Sequence, residues 1–277
     1  MSAQPPLPAG TVERWAWDFI CSTDLAQKLA PPPPPTQWSH PSEPYLIAAP
    51  GRPPQLVARG KKKKTPKVQL TARRAEVIHT FLHHELQAAE LMAWAILAFP
   101  STPVSFRRGL LSLCRDEIRH LQLYRDHLET LGHPFGTFSV NDWFWKRVPA
   151  SSRADADQAP TAAHFLARLG IAFEGANLDH GARYTAAFAA AGDARAAEIQ
   201  AQIVEEEVPH AAFALHWFRE LTGDVAFETW RQYLPAPISP AMARGTPLNV
   251  EARLKAGFAP EFLDALAGWD AGPAGQK

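Results

Sequence analysis

Residues 106–128 read F-R-R-G-L-L-S-L-C-R-D-E-I-R-H-L-Q-L-Y-R-D-H-L. Steps of four and three pick out Phe106, Leu110, Leu113, Glu117, His120, Tyr124 and Leu128, which fall on one face of a helix. That face is apolar at its ends and carries an acid and an imidazole in its middle. Three other segments repeat the pattern. One gives Ile78, Leu82, Glu85, Ala89, Met92 and Ile96. Another gives Ala167, Ile171, Glu174, Leu178, Gly181, Thr185 and Phe188. The last gives Ala196, Gln200, Ile203, Glu207, His210, Ala214, Trp217 and Leu221. Each seam is mostly apolar or small except near its centre, where a single glutamate stands. Glu117 and Glu207 each have a histidine three residues on.

Start and stop signals bound the four segments. The first spans about 71–99, with Thr71 as N-cap and Pro100 just beyond. The second spans about 104–131 and stops at Gly132. The third spans about 161–191 and stops at Gly192. The fourth opens on Asp193 as N-cap and stops near Gly223. A short link joins the first pair and a shorter one the second, so each pair is expected to be an antiparallel hairpin. Residues 132–160 between the pairs are long enough to cross a bundle from end to end. Two hairpins joined by one long crossover is the connectivity of ferritin-like four-helix bundles. The expected fold is therefore all-α: residues 71–223 as the bundle, 1–70 as an N-terminal helix and Pro-rich arm, and 224–277 as a C-terminal wrap.

Composition narrows the class. The 277 residues carry 28 basic and 28 acidic side chains, a balance that argues against a dedicated nucleic-acid binder. Two cysteines, Cys21 and Cys114, make no disulfide framework and no zinc pattern. The longest apolar run, Leu91–Phe99, is under half the ~20 residues of a membrane span. No secretory signal is visible at the N-terminus, so a cytoplasmic protein without a membrane segment is expected. The 26 prolines concentrate between residues 31 and 66, in a stretch that ends in Lys61–Lys64. Consecutive prolines cannot continue a helix. The arm is expected to pack as a strap, with a partner-binding tail as the alternative. The lysine run reads as a solvated linker. Upstream, Val12, Trp15, Phe19 and Ile20 mark one short satellite helix within residues 11–30.

The central glutamates carry the chemistry. An ionised carboxylate buried alone costs several kcal/mol or more, and four at one level also repel each other. No lysine or arginine lies on the four seams to offset them. Two divalent cations would balance four carboxylates, and two neutral imidazoles would complete the ligand set. Residues three apart share a helix face, so Glu-x-x-His presents two ligands to one side. One Glu from each of two helices plus Glu-x-x-His from each of the others is the di-iron or di-manganese carboxylate arrangement. Glu-x-x-His alone is a weak signal. It occurs three times, and the copy at Glu76/His79 reads as incidental. The ordered set is stronger, because Glu85 precedes Glu117 by 32 residues and Glu174 precedes Glu207 by 33.

D-E-I-R-H at Asp116–His120 resembles the D-E-x-R-H signature of oxygen-activating di-iron proteins, and E-E-V-P-H at Glu206–His210 resembles its weaker partner, E-E-x-x-H. Together with H-H-E-L-Q-A-A-E-L-M-A-W and F-E-G-A-N-L-D-H, these stretches resemble a conserved uncharacterised bacterial family of the ferritin-like superfamily. The likeness extends to L-P-A-P-I-S-P and R-G-T-P-L-N near the C-terminus. It implies Glu85, Glu117, His120, Glu174, Glu207 and His210 as metal ligands. It further implies that Asp116 orients His210, that Glu206 orients His120, and that Arg119 pairs with an acid. The implied function is an O2-activating oxidase or hydroxylase with two iron ions; manganese also suits the ligand set, and zinc stays open. Its partners would be an electron donor and a small-molecule or modified-nucleoside substrate, since one ferritin-like branch hydroxylates modified tRNA. A monomer or small homo-oligomer is expected. Two other readings stand beside it: a metal-stabilised binding module without turnover, and an iron-storage or peroxide-detoxifying protein, which would elute as a large cage.

Pro209 departs from the pattern. It removes a backbone N–H inside the fourth helix, which should kink or widen there. Among lesser candidates, Glu90 is the alternative to Glu85. His83, His84, Tyr124, Cys114, Asp179 and His180 read as outer or core groups. Asn141–Lys146 (N-D-W-F-W-K) reads as a cap on the bundle.

Overall fold

The structure is a computed structural model. It describes residues 7–58, 70–152, 157–234, 236 and 238–269, so the Lys61–Lys64 run lies outside the described residues. These form helices and loops with no strand; two isolated bridges, Thr11 with Gln37 and Ala58 with Val140, are the nearest thing to one. The helices are α1 (Val12–Cys21), α2 (Leu25–Leu29), α3 (Leu70–Ala98), α4 (Val104–Thr130) and α5 (Trp143–Ser151). Next come α6 (Ala162–Phe165), a π-helical stretch (Leu166–Glu174), α7 (Gly175–Ala190) and α8 (Ala194–Thr222). Short pieces complete the chain: α9 (Phe227–Gln232), a 3-10 turn (Pro240–Ala243), α10 (Val250–Lys255) and α11 (Pro260–Ala267). Among the described residues, no helix is long and apolar enough to cross a membrane. The chain divides into two compact units, Met1–Val68 with Ala75–Lys146, and Gln69–Arg74 with Arg147–Lys277.

The first unit holds the α3/α4 hairpin. His120 on α4 approaches Glu85 on α3, and the Tyr124 ring lies 5.8 Å from that of Phe81. Advancing along α3 thus means retreating along α4, and the pair is antiparallel. Every residue of the two expected seams here is buried. Helix α3 starts at Leu70, so Thr71 falls in its first turn rather than at the cap. The expected single satellite helix is two, because Asp24 caps a second one by accepting from the Ala26 and Gln27 amides. The arm that follows is a strap. Tyr45 N donates to Leu97 O, Gly51 N to Ile20 O, and Trp15 Nε1 to Pro32 O. It covers the run Leu91–Phe99, which is buried throughout and needs no membrane to explain it.

The second unit holds the other hairpin. Thr161 and Asp193 cap its helices by accepting from the His164 and Ala196 amides, and Gly192 and Gly223 end them at φ +76° and +82°. A Cβ built on Gly170 would lie 2.3 Å from Ala214 Cβ, and one on Gly181 would lie 2.2 Å from Val204 Cγ2. These two contacts run in opposite order along the helices, which are therefore antiparallel and pressed together at glycines. The wide turn expected at Pro209 is elsewhere: α8 stays α-helical across it, and the π stretch lies in the preceding segment. The end of the fourth seam also differs, since Phe218 is buried while Trp217 is half-buried and Leu221 exposed. The 3.6-residue period carries the inward face from Ala214 to Phe218.

Candidate metal centre

On α3 and α4, Glu85, Glu117 and His120 are all buried. His120 Nδ1 lies 3.8 Å from Glu85 Oε2 and 3.7 Å from Glu117 Oε2. Burial pushes the Glu85 carboxyl well above the usual carboxylate range; contact with His120 opposes this, and the Glu117 carboxylate adds to it. A cation would remove that conflict by taking the place of the proton.

On α8, Glu207 and His210 are buried one turn apart, with His210 Nδ1 2.9 Å from Glu207 Oε2. Glu174 is the last residue of the π stretch, buried, and accepts a 2.8 Å hydrogen bond from Asn177 Nδ2. Within the first unit, Glu85, Glu117 and His120 form one buried group. Each offers a ligand atom, and these atoms all lie within 4.8 Å of one another. Such a group could hold a metal ion. Its donors are carboxylate oxygen and imidazole nitrogen, with no thiolate among them. Of the six expected ligands, the other three, Glu174, Glu207 and His210, lie in the second unit.

The expected supporting residues are less enclosed. Arg119 Nη2 donates to Asp116 Oδ1 at 3.1 Å, so the arginine does pair with an acid, its neighbour one turn back. Glu206 Oε1 accepts from Gln202 Nε2 at 3.1 Å.

The structure sorts the lesser candidates. Glu90, the alternative to Glu85, is fully buried in an ion cluster: Lys28 Nζ and Arg52 Nη1 each lie 2.6 Å from its Oε1. It is committed to α2 and the strap. Nothing in the sequence marked Lys28 or Arg52 as its partners, because they come from 62 and 38 residues away. His83 Nε2 lies 3.3 Å from Asp142 Oδ1, and Trp145 N donates to Gln87 Oε1, so the aromatic Asn141–Lys146 segment docks on α3. His79, of the incidental Glu-x-x-His, accepts from Gly136 N at 3.0 Å. Cys114 is buried, and burial followed by the nearby Glu117 pushes its thiol far up, so it is no ready thiolate. Asp179 is bound by Arg253 through two nitrogens.

Residues 14–264 match the DUF455 family, described as a protein of unknown function. The chain belongs to the DUF455 family. The match spans the two hairpins and all six expected ligands. The chain is also 25% identical, over 199 residues, to an uncharacterized protein of Haemophilus influenzae. The aligned part covers 69% of this chain and 66% of that relative, just under two thirds of its length. No solved structure matches.

Proposed function

We propose that this DUF455 chain is a ferritin-like di-iron carboxylate protein, an O2-dependent oxidase or hydroxylase acting on a small organic molecule or a modified nucleoside. The observation that carries the reading is the buried group of Glu85, Glu117 and His120 on the α3/α4 hairpin. In the second unit Glu174, Glu207 and His210 are also buried, which makes four carboxylates and two imidazoles in all. In this reading the α3/α4 hairpin and the α6–α8 hairpin close into one four-helix bundle. Two iron ions, or manganese, would supply redox chemistry toward dioxygen when bound.

The chain's own residues do the rest. Glu85 and Glu117 hold negative charge in a site where burial disfavours it, so they favour cations over an empty site. His120 and His210 bind as neutral imidazoles, each placed by its glutamate three residues earlier. Asp116 turns His210 and Glu206 turns His120, with Arg119 holding Asp116. Buried side chains on all sides of residues 162–176 keep bulk water away from Glu174.

The test is metal content by mass spectrometry on protein made with iron supplied. The parent should carry about two irons per chain, and Glu117→Ala and His210→Ala should each lose most of it. A parent without bound metal, or variants that keep it all, would overturn the assignment. Adding dioxygen or peroxide to the ferrous protein separates an enzyme from a metal-stabilised binding module, which would not react.

A further inference from the structure

Glu174 ends a π-helical stretch, and π turns are rare beside α-helix, so one that persists is held by its surroundings. Here the C-terminal segment does the holding, at three points. Trp230 on α9 is fully buried, and its Nε1 donates to Ala167 O, a carbonyl of the wide turn, at 2.8 Å. At the other end, Gly175 follows Glu174 directly. A Cβ on Gly175 would lie 3.2 Å from Arg253 Nη1 and 3.3 Å from Phe258 Cζ, so side chains from α10 and the turn after it rest on its backbone. Below it, the buried Asp179 carboxylate is saturated. Oδ1 accepts from Arg253 Nε at 3.0 Å and Asn249 N at 2.7 Å; Oδ2 accepts from Arg253 Nη2 at 2.8 Å and Gly245 N at 2.7 Å. Arg253 is itself fully buried, and its Nη2 also reaches Ala243 O at 2.9 Å. The first turns of α7 are thereby fixed just after the wide turn, and Trp230 fixes its start.

We infer that Trp230, Asp179 and Arg253 are positioning residues: they brace the π turn from the C-terminal segment and so set the direction in which Glu174 presents its carboxylate. An extra residue in a helical turn rotates everything beyond it about the axis. Without the brace, the turn relaxes toward α-helix and Glu174 swings off its position. The inference rests on the proposed metal site for its consequence, and on the contacts alone for the brace.

The experiment uses the full chain with two brace variants, Trp230→Phe and Arg253→Lys, and Glu174→Gln for comparison. Arg253→Lys keeps the charge but not the paired contact to Asp179. Trp230→Phe keeps an aromatic side chain while removing the donor and part of the indole, and it leaves the buried Asp179–Arg253 pair intact, so the test stands if Arg253→Lys fails to fold. The brace is read by hydrogen exchange at the amides of residues 166–175. Both brace variants should speed it about tenfold, the size expected for one buried hydrogen bond lost, with exchange in α3 and α4 unchanged. Positioning is read by cobalt(II) titration. Both variants should reproduce the altered visible spectrum and lowered stoichiometry of Glu174→Gln while keeping parental helix content by circular dichroism. Parental exchange in Trp230→Phe overturns the brace. Faster exchange with a parental cobalt spectrum overturns the positioning role. A parent that binds no cobalt or iron overturns the proposed function and the positioning role with it, and the exchange data still decide the brace.

Discussion

Glu85 and Glu90 are both buried acids on α3, five residues apart, and their surroundings give them opposite roles. Glu85 faces another carboxylate and an imidazole, whereas Glu90 faces two cations. A buried acid with cations already in place contributes to folding and has no use for a metal. Replacing Glu90 with Gln strands Lys28, held in the interior, beside Arg52. Breaking such a pair destabilises by about 3–5 kcal/mol. Urea denaturation of Glu90→Gln should show a loss of that size, while its iron content per folded chain stays parental. His79 gives a second prediction at this scale. Burial, then the neighbouring His83, holds its imidazole down to about 4, against about 6.5 in the unfolded chain. Between those values the unfolded state binds the extra proton. The stability conferred by the neutral ring is complete above about pH 6.5 and is lost as pH falls toward about 4, at up to about 1.4 kcal/mol per pH unit. His79→Gln keeps an acceptor for Gly136 N, and a series of thermal melts across that window should show a shallower fall.

At the scale of helices, the hairpin in the second unit depends on absent side chains. Gly170 sits where a methyl group would lie 2.3 Å from Ala214 Cβ. Neither atom is the end of a flexible chain, so the helices would have to part. Gly170→Ala should cost about 1–3 kcal/mol in chemical denaturation despite alanine's better helix propensity. Helix ends were readable because capping is local: Thr161, Asp193, Gly132, Gly192 and Gly223 each act within a few residues of themselves. The π stretch was not readable. Residues 162–176 are buried on every side, so the hydrophobic pattern there has no exposed face against which a change of phase could register. Pro209 carried the visible warning of irregularity, yet its helix absorbs it and the wide turn lies opposite Ala214, in the neighbouring helix.

For the molecule as a whole, folding and metal binding are coupled in the proposed reading, because burying several carboxylates together is unfavourable until cations arrive. Removing metal with a chelator should lower the melting temperature by about 5–10 °C, the shift expected when a ligand at roughly a hundredfold excess over its dissociation constant is withdrawn. Calorimetry with and without chelator measures it, and Glu117→Ala should be insensitive to the treatment. The arm and the C-terminal segment matter at this scale too. Helix α2 supplies Lys28 and the arm supplies Arg52 to Glu90, while the C-terminal segment supplies Trp230 to the wide turn and Arg253 to the start of α7.

By itself the chain's order of residues determined the helical class, most ends of the four long helices, and that the six expected ligands turn inward. Those features follow from periodicity and capping, which act over one or two turns and leave their mark in the order of residues. Only the tertiary structure decided which buried glutamate meets cations and which meets other acids, where the helix widens, and what holds it wide. Those outcomes depend on side chains tens of residues apart being brought within about 3 Å, and no local pattern records which distant partner will arrive.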